Sequence, residues 1–335
     1  MEKRGIFNTK TFGLVIITIA LTIVIYLISP SFLAKGNVRN LLNTLSFQGV
    51  MLAGITILLL SGNFDMSAGG VGALSMLIFG LFVQTMKLPL GVALIAGLLT
   101  GVICGLINVV LINVFNLQPF IATIATSSIF GGIGNVATRG NSIAINAPAF
   151  TDIGKIALFK LIPFFFILMV IIVLAHTFVL YRTRFGRSIY MIGGNMFAAR
   201  LCGLDIKRTR TYLYISQGLM SAISGLIWCC LRKQANPGGF TVAAPNMQAM
   251  IAALLGGISF MGGAGGIGGA AIGLVLLNIF TTGLLMIKAP TFITTMMPGI
   301  LLIIALLMDN INAMRMRRIL MAAAIKQGAV AKKVS

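Results

Sequence analysis

The chain has 335 residues, 58% of them hydrophobic and only 9% charged, with a formal net charge of +20; its mean hydropathy is +1.04. Soluble domains carry about a quarter charged residues, so a soluble globular fold is excluded, and the apolar runs are long enough to cross a bilayer. A charge this basic would suggest nucleic acid in a soluble protein, but here Lys and Arg occupy the gaps between apolar runs, so membrane topology accounts for them and no nucleic-acid partner is expected.

In chain order, Met1–Lys10 is basic and leads into an apolar segment. No small-residue cleavage site follows Ile28, so a retained first span is expected. Ten spans are expected: Phe12–Ile28, Leu41–Leu60, Val71–Met86, Pro89–Val114, Phe120–Ala137, Leu161–Tyr181, Thr211–Leu231, Met247–Phe260, Ile267–Ile287 and Phe292–Met308. The expected fold class is therefore an all-α polytopic membrane protein, one domain over 1–335, with 182–210 as a central loop and 309–335 as a basic tail. Val71–Met86 and Met247–Phe260 are short and bounded by Gly, the pattern of broken helices that line a cavity. Five spans per half would allow two oppositely inserted halves, although no residue-level repeat is visible.

With both termini in the cytoplasm, Met1–Lys10, Arg182–Arg210 and Arg315–Ser335 lie inside and hold 16 of the 25 Lys/Arg, as the positive-inside rule requires. The central loop alone holds seven in 29 residues. It also carries a helix signal: Asn195 can cap the N–H groups of the next turn, and Gly203 can end the helix in the left-handed conformation. A solvated basic loop and a docking surface for a cytoplasmic partner are both consistent with this pattern.

The five acids are Glu2, Asp65, Asp152, Asp205 and Asp309. Only Asp65 lies in a Gly-rich turn between spans, where it can cap a helix start or contact a ligand. The lone histidine, His176, reads as a packed, hydrogen-bonded residue near a span end. With so few ionisable groups in the membrane, coupling to a proton or cation gradient has little to act on. A neutral, hydroxylated solute bound by amides and hydroxyls fits better. Candidate lining residues are Asn108, Asn113, Thr123, Thr126, Ser127 and Asn278; helix–helix hydrogen bonding is the competing role for each. The four cysteines show no metal-site spacing and read as apolar fillers, so neither a metal site nor a cofactor on this chain is expected. Gly263–Gly268 matches a dinucleotide fingerprint formally, but no strand precedes it and no acid follows at the required spacing. Gly265–Gly269 and Gly269–Gly273 read instead as tight helix-packing pairs. No Walker A pattern occurs.

The residues F-G-R-S-I-Y-M-I-G-G-N-x-x-A-A-R-L-x-G-L-D-I, from Phe185 to Ile206, resemble the cytoplasmic loop of bacterial ABC sugar-importer permeases of the ribose/xylose/autoinducer-2 type. Asn63–Ser75, Pro119–Thr126 and Ala253–Ala270 are similar to further motifs of that family, in the same order. The resemblance implies a permease subunit in the bacterial inner membrane, paired with a second copy or a sister permease. It implies a periplasmic or extracellular sugar-binding protein outside, and an ATPase with two cassettes inside, on which ATP and Mg reside. It also implies that Gly193, Gly194, Asn195, Ala198, Ala199, Arg200, Leu201 and Gly203 form the coupling helix, with the small Ala residues docking into an ATPase groove. The chain departs from the family pattern at Met196–Phe197, where an acid is common, and at Asn246 and Gln248, where amides replace acids. Gln118 replaces a usual Pro and Ala125 a usual Gly; a divergent sister subunit of a heterodimer is one explanation. The alternative reading is a stand-alone secondary carrier or facilitator for a neutral solute. A membrane scaffold is a third, and a membrane enzyme fits least.

Overall fold

The computed structural model of the protein describes residues 9–290, 292–294, 296–307, 310, 311 and 314. Met1–Asn8, Asp309 and the basic tail beyond Met314 lie outside the described residues. The membrane helices are α1 (Thr9–Ile28), α2 (Lys35–Leu60), α3 (Ala68–Gly80, extended by a π turn through Thr85), α4 (Leu90–Val109, likewise extended through Val114) and α5 (Pro119–Thr138). A connection follows with a short α6 (Pro148–Thr151). Beyond it come α7 (Phe164–Arg182), α8 (Arg184–Gly194), α9 (Met196–Leu201) and α10 (Ile206–Arg232). The chain then forms α11 (Pro237–Ala243), α12 (Pro245–Leu255), α13 (Ile267–Met286) and a final apolar helix α14, Phe292–Leu307.

Among the described residues, eight segments are long and apolar enough to span a bilayer, and the shorter helices Phe12–Ile28 and Phe292–Leu307 bring the apolar helices described to the ten expected. The expected span Met247–Phe260 is placed differently. Its helix begins at Pro237, breaks at Ala244 (φ +43°) and ends at Leu255. Pro237 and Pro245 stand at the starts of these two helices, where the missing N–H of Pro costs nothing. Residues 256–266 are a loop with Gly257, Gly262, Gly263 and Gly265 at positive φ.

Two helices form the axis of the molecule. In α2 and α10, 78% of the most apolar window is buried, against 11% in α7, whose outer side carries exposed Ile171, Leu174 and Phe178. At about 39 Å, the 26-residue α2 exceeds the roughly 30 Å hydrocarbon core. Backbones cross where neither helix has a side chain. A Cβ on Gly218 of α10 would lie 2.2 Å from the Gly101 carbonyl of α4, and one on Gly225 would lie 2.2 Å from that of Gly72 in α3. Without a hydrophobic force between helices in lipid, such close approach supplies the dispersion contact that holds them.

The two faces of the bundle separate clearly. On one, β1 (Ile143–Ala144) pairs antiparallel with β4 (Gln234–Ala235), Ile143 opposite Ala235, and β2 (Ala157–Leu158) pairs with β3 (Ile162–Pro163). Arg39 donates there to the Lys155 carbonyl at 2.9 Å. On the other lie the 61–67 break, the 182–210 loop and the 256–266 loop, which we call the loop face.

Candidate functional site

Helix α2 ends at Leu60 and α3 begins at Ala68; between them the chain breaks, with Gly62 at φ +71°. Asp65 lies in this break. Its Oδ1 accepts from the Ser67 backbone N–H at 2.8 Å and the Ser67 hydroxyl at 2.5 Å. The network continues outward. Asn108 Nδ2 of α4 donates to Ser67 Oγ at 2.8 Å, and Thr126 Oγ1 of α5 donates to Asn108 Oδ1 at 2.8 Å. Thr123 accepts from the Met66 N–H at 3.1 Å and donates to the Pro119 carbonyl at 2.8 Å. Four residues chosen from the sequence, Asp65, Asn108, Thr123 and Thr126, thus meet in one cluster. Two more groups, not among the expected lining residues, hold the break: Tyr214 Oη donates to the Phe64 carbonyl at 2.6 Å, and Asn246 Nδ2, one of the two amides that replace acids of the family pattern, to the Met66 carbonyl at 3.2 Å. Asp65 retains some exposed surface, yet its carboxyl is enclosed by protein. Burial pushes it up to about 6, against the opposing effect of the Ser67 hydrogen bonds. Ser127 is half-buried beside the cluster, where a Cβ on Gly70 would meet its carbonyl at 2.7 Å.

Asn113 and Asn278 lie elsewhere. Asn113 Nδ2 donates to the Lys207 carbonyl at 3.0 Å and to Thr211 Oγ1 at 3.2 Å, fastening the end of α4 to the start of α10. Asn278 Nδ2 of α13 donates to Gln48 Oε1 of α2 at 2.7 Å, and Gln48 Nε2 donates to Gln248 Oε1 of α12. Gln248 Nε2 then donates to the Ala243 carbonyl at 3.2 Å. This amide chain ties three helices together, the bonding expected of polar groups that have left water. The Gln248 that departs from the family pattern is one of its links.

The 182–210 loop is two capped helices. Thr183 Oγ1 accepts from the Gly186 N–H at 3.1 Å at the start of α8, an amphipathic helix that buries Ile189 and Ile192 and exposes Arg184 and Arg187. Asn195 Oδ1 accepts from the Ala198 N–H at 3.0 Å to start α9. After it, Gly203 has φ +77°, and the Leu204 N–H donates to the Ala199 carbonyl at 3.1 Å. Asp205 Oδ1 then caps α10 through the Arg208 N–H at 2.9 Å. One expectation needs correction. Ala199 is buried against Ile192, Leu204 and Ile206 and offers no docking surface. Ala198 is exposed, and so are Phe197 at 72% and Leu201 at 74%. Gly194, Asn195, Arg200 and Gly203 are exposed as well.

Gly193 forms the junction between this loop and the Asp65 break. A Cβ there would lie 1.9 Å from the Leu60 carbonyl and 2.6 Å from the Gly263 nitrogen. The Gly263 N–H donates to that same Leu60 carbonyl at 2.9 Å, and a Cβ on Gly262 would lie 2.7 Å from the Gly62 nitrogen. Three backbone segments therefore meet with no side chain between them. The Gly-rich run divides accordingly: Gly263 and Gly265 belong to this loop, while Gly269 and Gly273 of α13 pack against the Gly256 and Ala252 carbonyls.

Residues 37–306 match the family described as "Branched-chain amino acid transport system / permease component". The chain is 35% identical over 313 residues to the ribose import permease protein RbsC of Bacillus subtilis (strain 168), covering 92% of this chain and 93% of the relative. It is 29% identical over 316 residues to RbsC of Escherichia coli (strain K12), covering 92% and 95%. It is 28% identical over 304 residues to the fructose import permease protein FrcC of Rhizobium meliloti, covering 89% and 84%. No solved structure matches the chain.

Proposed function

The chain belongs to the family of transport-system permease components, and from that premise we propose that it is the membrane-spanning subunit of an ATP-driven importer for a sugar or sugar-like neutral solute. It lies in the bacterial inner membrane with both termini and the loop face in the cytoplasm, the orientation supported by the distribution of Lys and Arg. An ATPase with two cassettes docks on α9 and hydrolyses Mg-bound ATP in those cassettes. A second copy or sister permease completes the membrane part, and a binding protein delivers the solute to the opposite face. The family description names an amino-acid system and the relatives are named for ribose and fructose. The chemistry of the Asp65 cluster favours the sugar class: amides, hydroxyls and one acid suit hydroxyl groups, and the cluster offers no cation for a carboxylate.

The observation that carries this reading is the exposure of Phe197 and Leu201 on a capped helix outside the spans. Large apolar side chains on lipid-facing helices need no explanation, but on a polar loop they mark a partner surface. The helix packs through Ala199 against Ile192 of α8 and Ile206 of α10. Gly193 then bears on the Leu60 carbonyl, so a pull on α9 is transmitted to the break that holds Asp65 and from there to α4 and α5. Work enters at Phe197 and reaches the Asp65–Asn108–Thr126 cluster through backbone contact.

The test is co-purification with the ATPase encoded beside it, together with uptake of ribose and fructose by the assembled transporter in vesicles. Phe197→Asp with Leu201→Asp is expected to release the ATPase and abolish ATP-dependent uptake of either sugar, while the permease still elutes as one species. Retention of the ATPase by this variant contradicts the docking assignment. Uptake that persists without any ATPase supports the stand-alone carrier instead.

A further inference from the structure

A groove of about 250 Å³ opens between α7, α8 and α10, toward the loop face. Ile57 of α2 lies at its floor, with Ala175, Val179, Phe185, Tyr212 and Leu213 on its walls. His176 is also in the lining, its Nδ1 engaged by the Ile172 carbonyl at 2.9 Å. The groove is therefore largely apolar, and it adjoins α7, where Ile171, Leu174 and Phe178 are exposed.

Its mouth has a different chemistry. Arg182, Arg184 and Arg187 are exposed on the α7–α8 side, flanking Phe185. On the α10 side Lys207 and Arg208 are exposed, and the Arg208 guanidinium sits 5.9 Å from the centre of the Tyr212 ring, itself packed edge-on to Phe185 at 6.1 Å. The acid here is Asp205, whose Oδ1 caps α10. Five exposed cations and one acid lie on the segments that end at this apolar slot, and Arg208 is placed against Tyr212 of its wall. Amphipathic α8 leaves the end of a span and presents its basic side outward, which is the pattern of a helix lying at a membrane surface.

We infer that this groove is a binding site for one anionic glycerophospholipid of the cytoplasmic leaflet. An acyl chain fills the slot and the phosphate is held by Arg184 and Arg208, the arrangement by which basic residues beside a span select acidic headgroups. The name of the leaflet rests on the orientation proposed above; the site itself rests only on the groove and its charges. A lipid lodged here would stand at the root of α8 and α9.

Native mass spectrometry of the full chain released from nanodiscs tests this without any transport measurement, so its failure and that of the importer reading are distinguishable. The nanodiscs contain phosphatidylcholine and phosphatidylglycerol in equal amounts. The unaltered chain is expected to retain one phosphatidylglycerol in large preference to phosphatidylcholine. Arg184→Gln with Arg208→Gln is expected to reduce that preference at least fivefold. Ala175→Trp, at an exposed position on the groove wall, is expected to lose the bound lipid, whereas Lys233→Gln on the opposite face retains it. Equal retention of the two lipids, or unchanged phosphatidylglycerol in both groove variants, overturns the proposal. So does a second copy of the chain in place of lipid, read as a dimer that Ala175→Trp dissociates. A photoactivatable phosphatidylglycerol supplies the second readout: cross-links concentrated on α7 and α10 support the site, and cross-links spread evenly over all lipid-facing helices contradict it.

Discussion

Asp65 carries a titration that can be measured directly. Its carboxyl is held at about 6 in the folded protein, above the value of 3.8 expected of an exposed aspartate, because burial disfavours the charge. The native state therefore binds more protons than the unfolded chain between those two values, and stability falls as pH rises through this window. Asp65→Asn removes the charge while its amide oxygen still accepts from Ser67. We expect this variant to gain roughly 1–3 kcal/mol at pH 8 and little at pH 4, read as a difference in thermal midpoint in detergent between the two pH values. An equal effect at both would contradict the burial argument. Asp65→Ala, in contrast, removes the acceptor for both Ser67 groups and is expected to cost about 1–3 kcal/mol relative to Asn. Ala198 and Ala199 separate in the same way. Glu at the buried Ala199 puts a charge among Ile192, Leu204 and Ile206 and should lower stability by roughly 2–4 kcal/mol. Glu at the exposed Ala198 should leave the thermal midpoint unchanged and act only on ATPase binding. The sequence could not make this distinction, because a six-residue helix is too short to show a periodicity. The caps at Asn195 and Gly203 were legible, since capping depends on neighbours within three or four residues.

Among the elements, hydropathy located most spans to within a few residues, because a lipid-exposed helix such as α7 or α4 must be apolar along its length. It failed at α11 and α12. There the polar Asn236 and Asn246, two prolines and a break at Ala244 hide a segment whose burial comes from packing. The long-range amide chain was equally hidden, since Gln48 lies 200 residues from Gln248 and 230 from Asn278. Of the expected lining residues, Asn278 and Asn113 hydrogen-bond between helices. Gln48→Leu is expected to destabilise the α2–α12–α13 contact by about 1–3 kcal/mol, because it strands the Asn278 and Gln248 amides away from water. The check is a lower thermal midpoint that Gln48→Asn does not fully restore. A variant as stable as the parent would show that these amides find other partners.

For the whole molecule, the loop motif implied a partner by resemblance, while the charge pattern fitted a solvated loop as well, and neither gave a route from the loop to the interior. We propose that the route runs through the backbone contacts at Gly193, Gly62 and Gly263, which no side-chain pattern reports. Along that route α9 would drive the Asp65 break. The most direct measurement is sugar-stimulated ATP hydrolysis by the assembled transporter in nanodiscs with Gly193→Val, where the added side chain would meet the Leu60 carbonyl. The ATPase is expected to stay bound and basal hydrolysis to persist, while stimulation by sugar with its binding protein falls at least tenfold. Full stimulation in the assembled Gly193→Val transporter would contradict it.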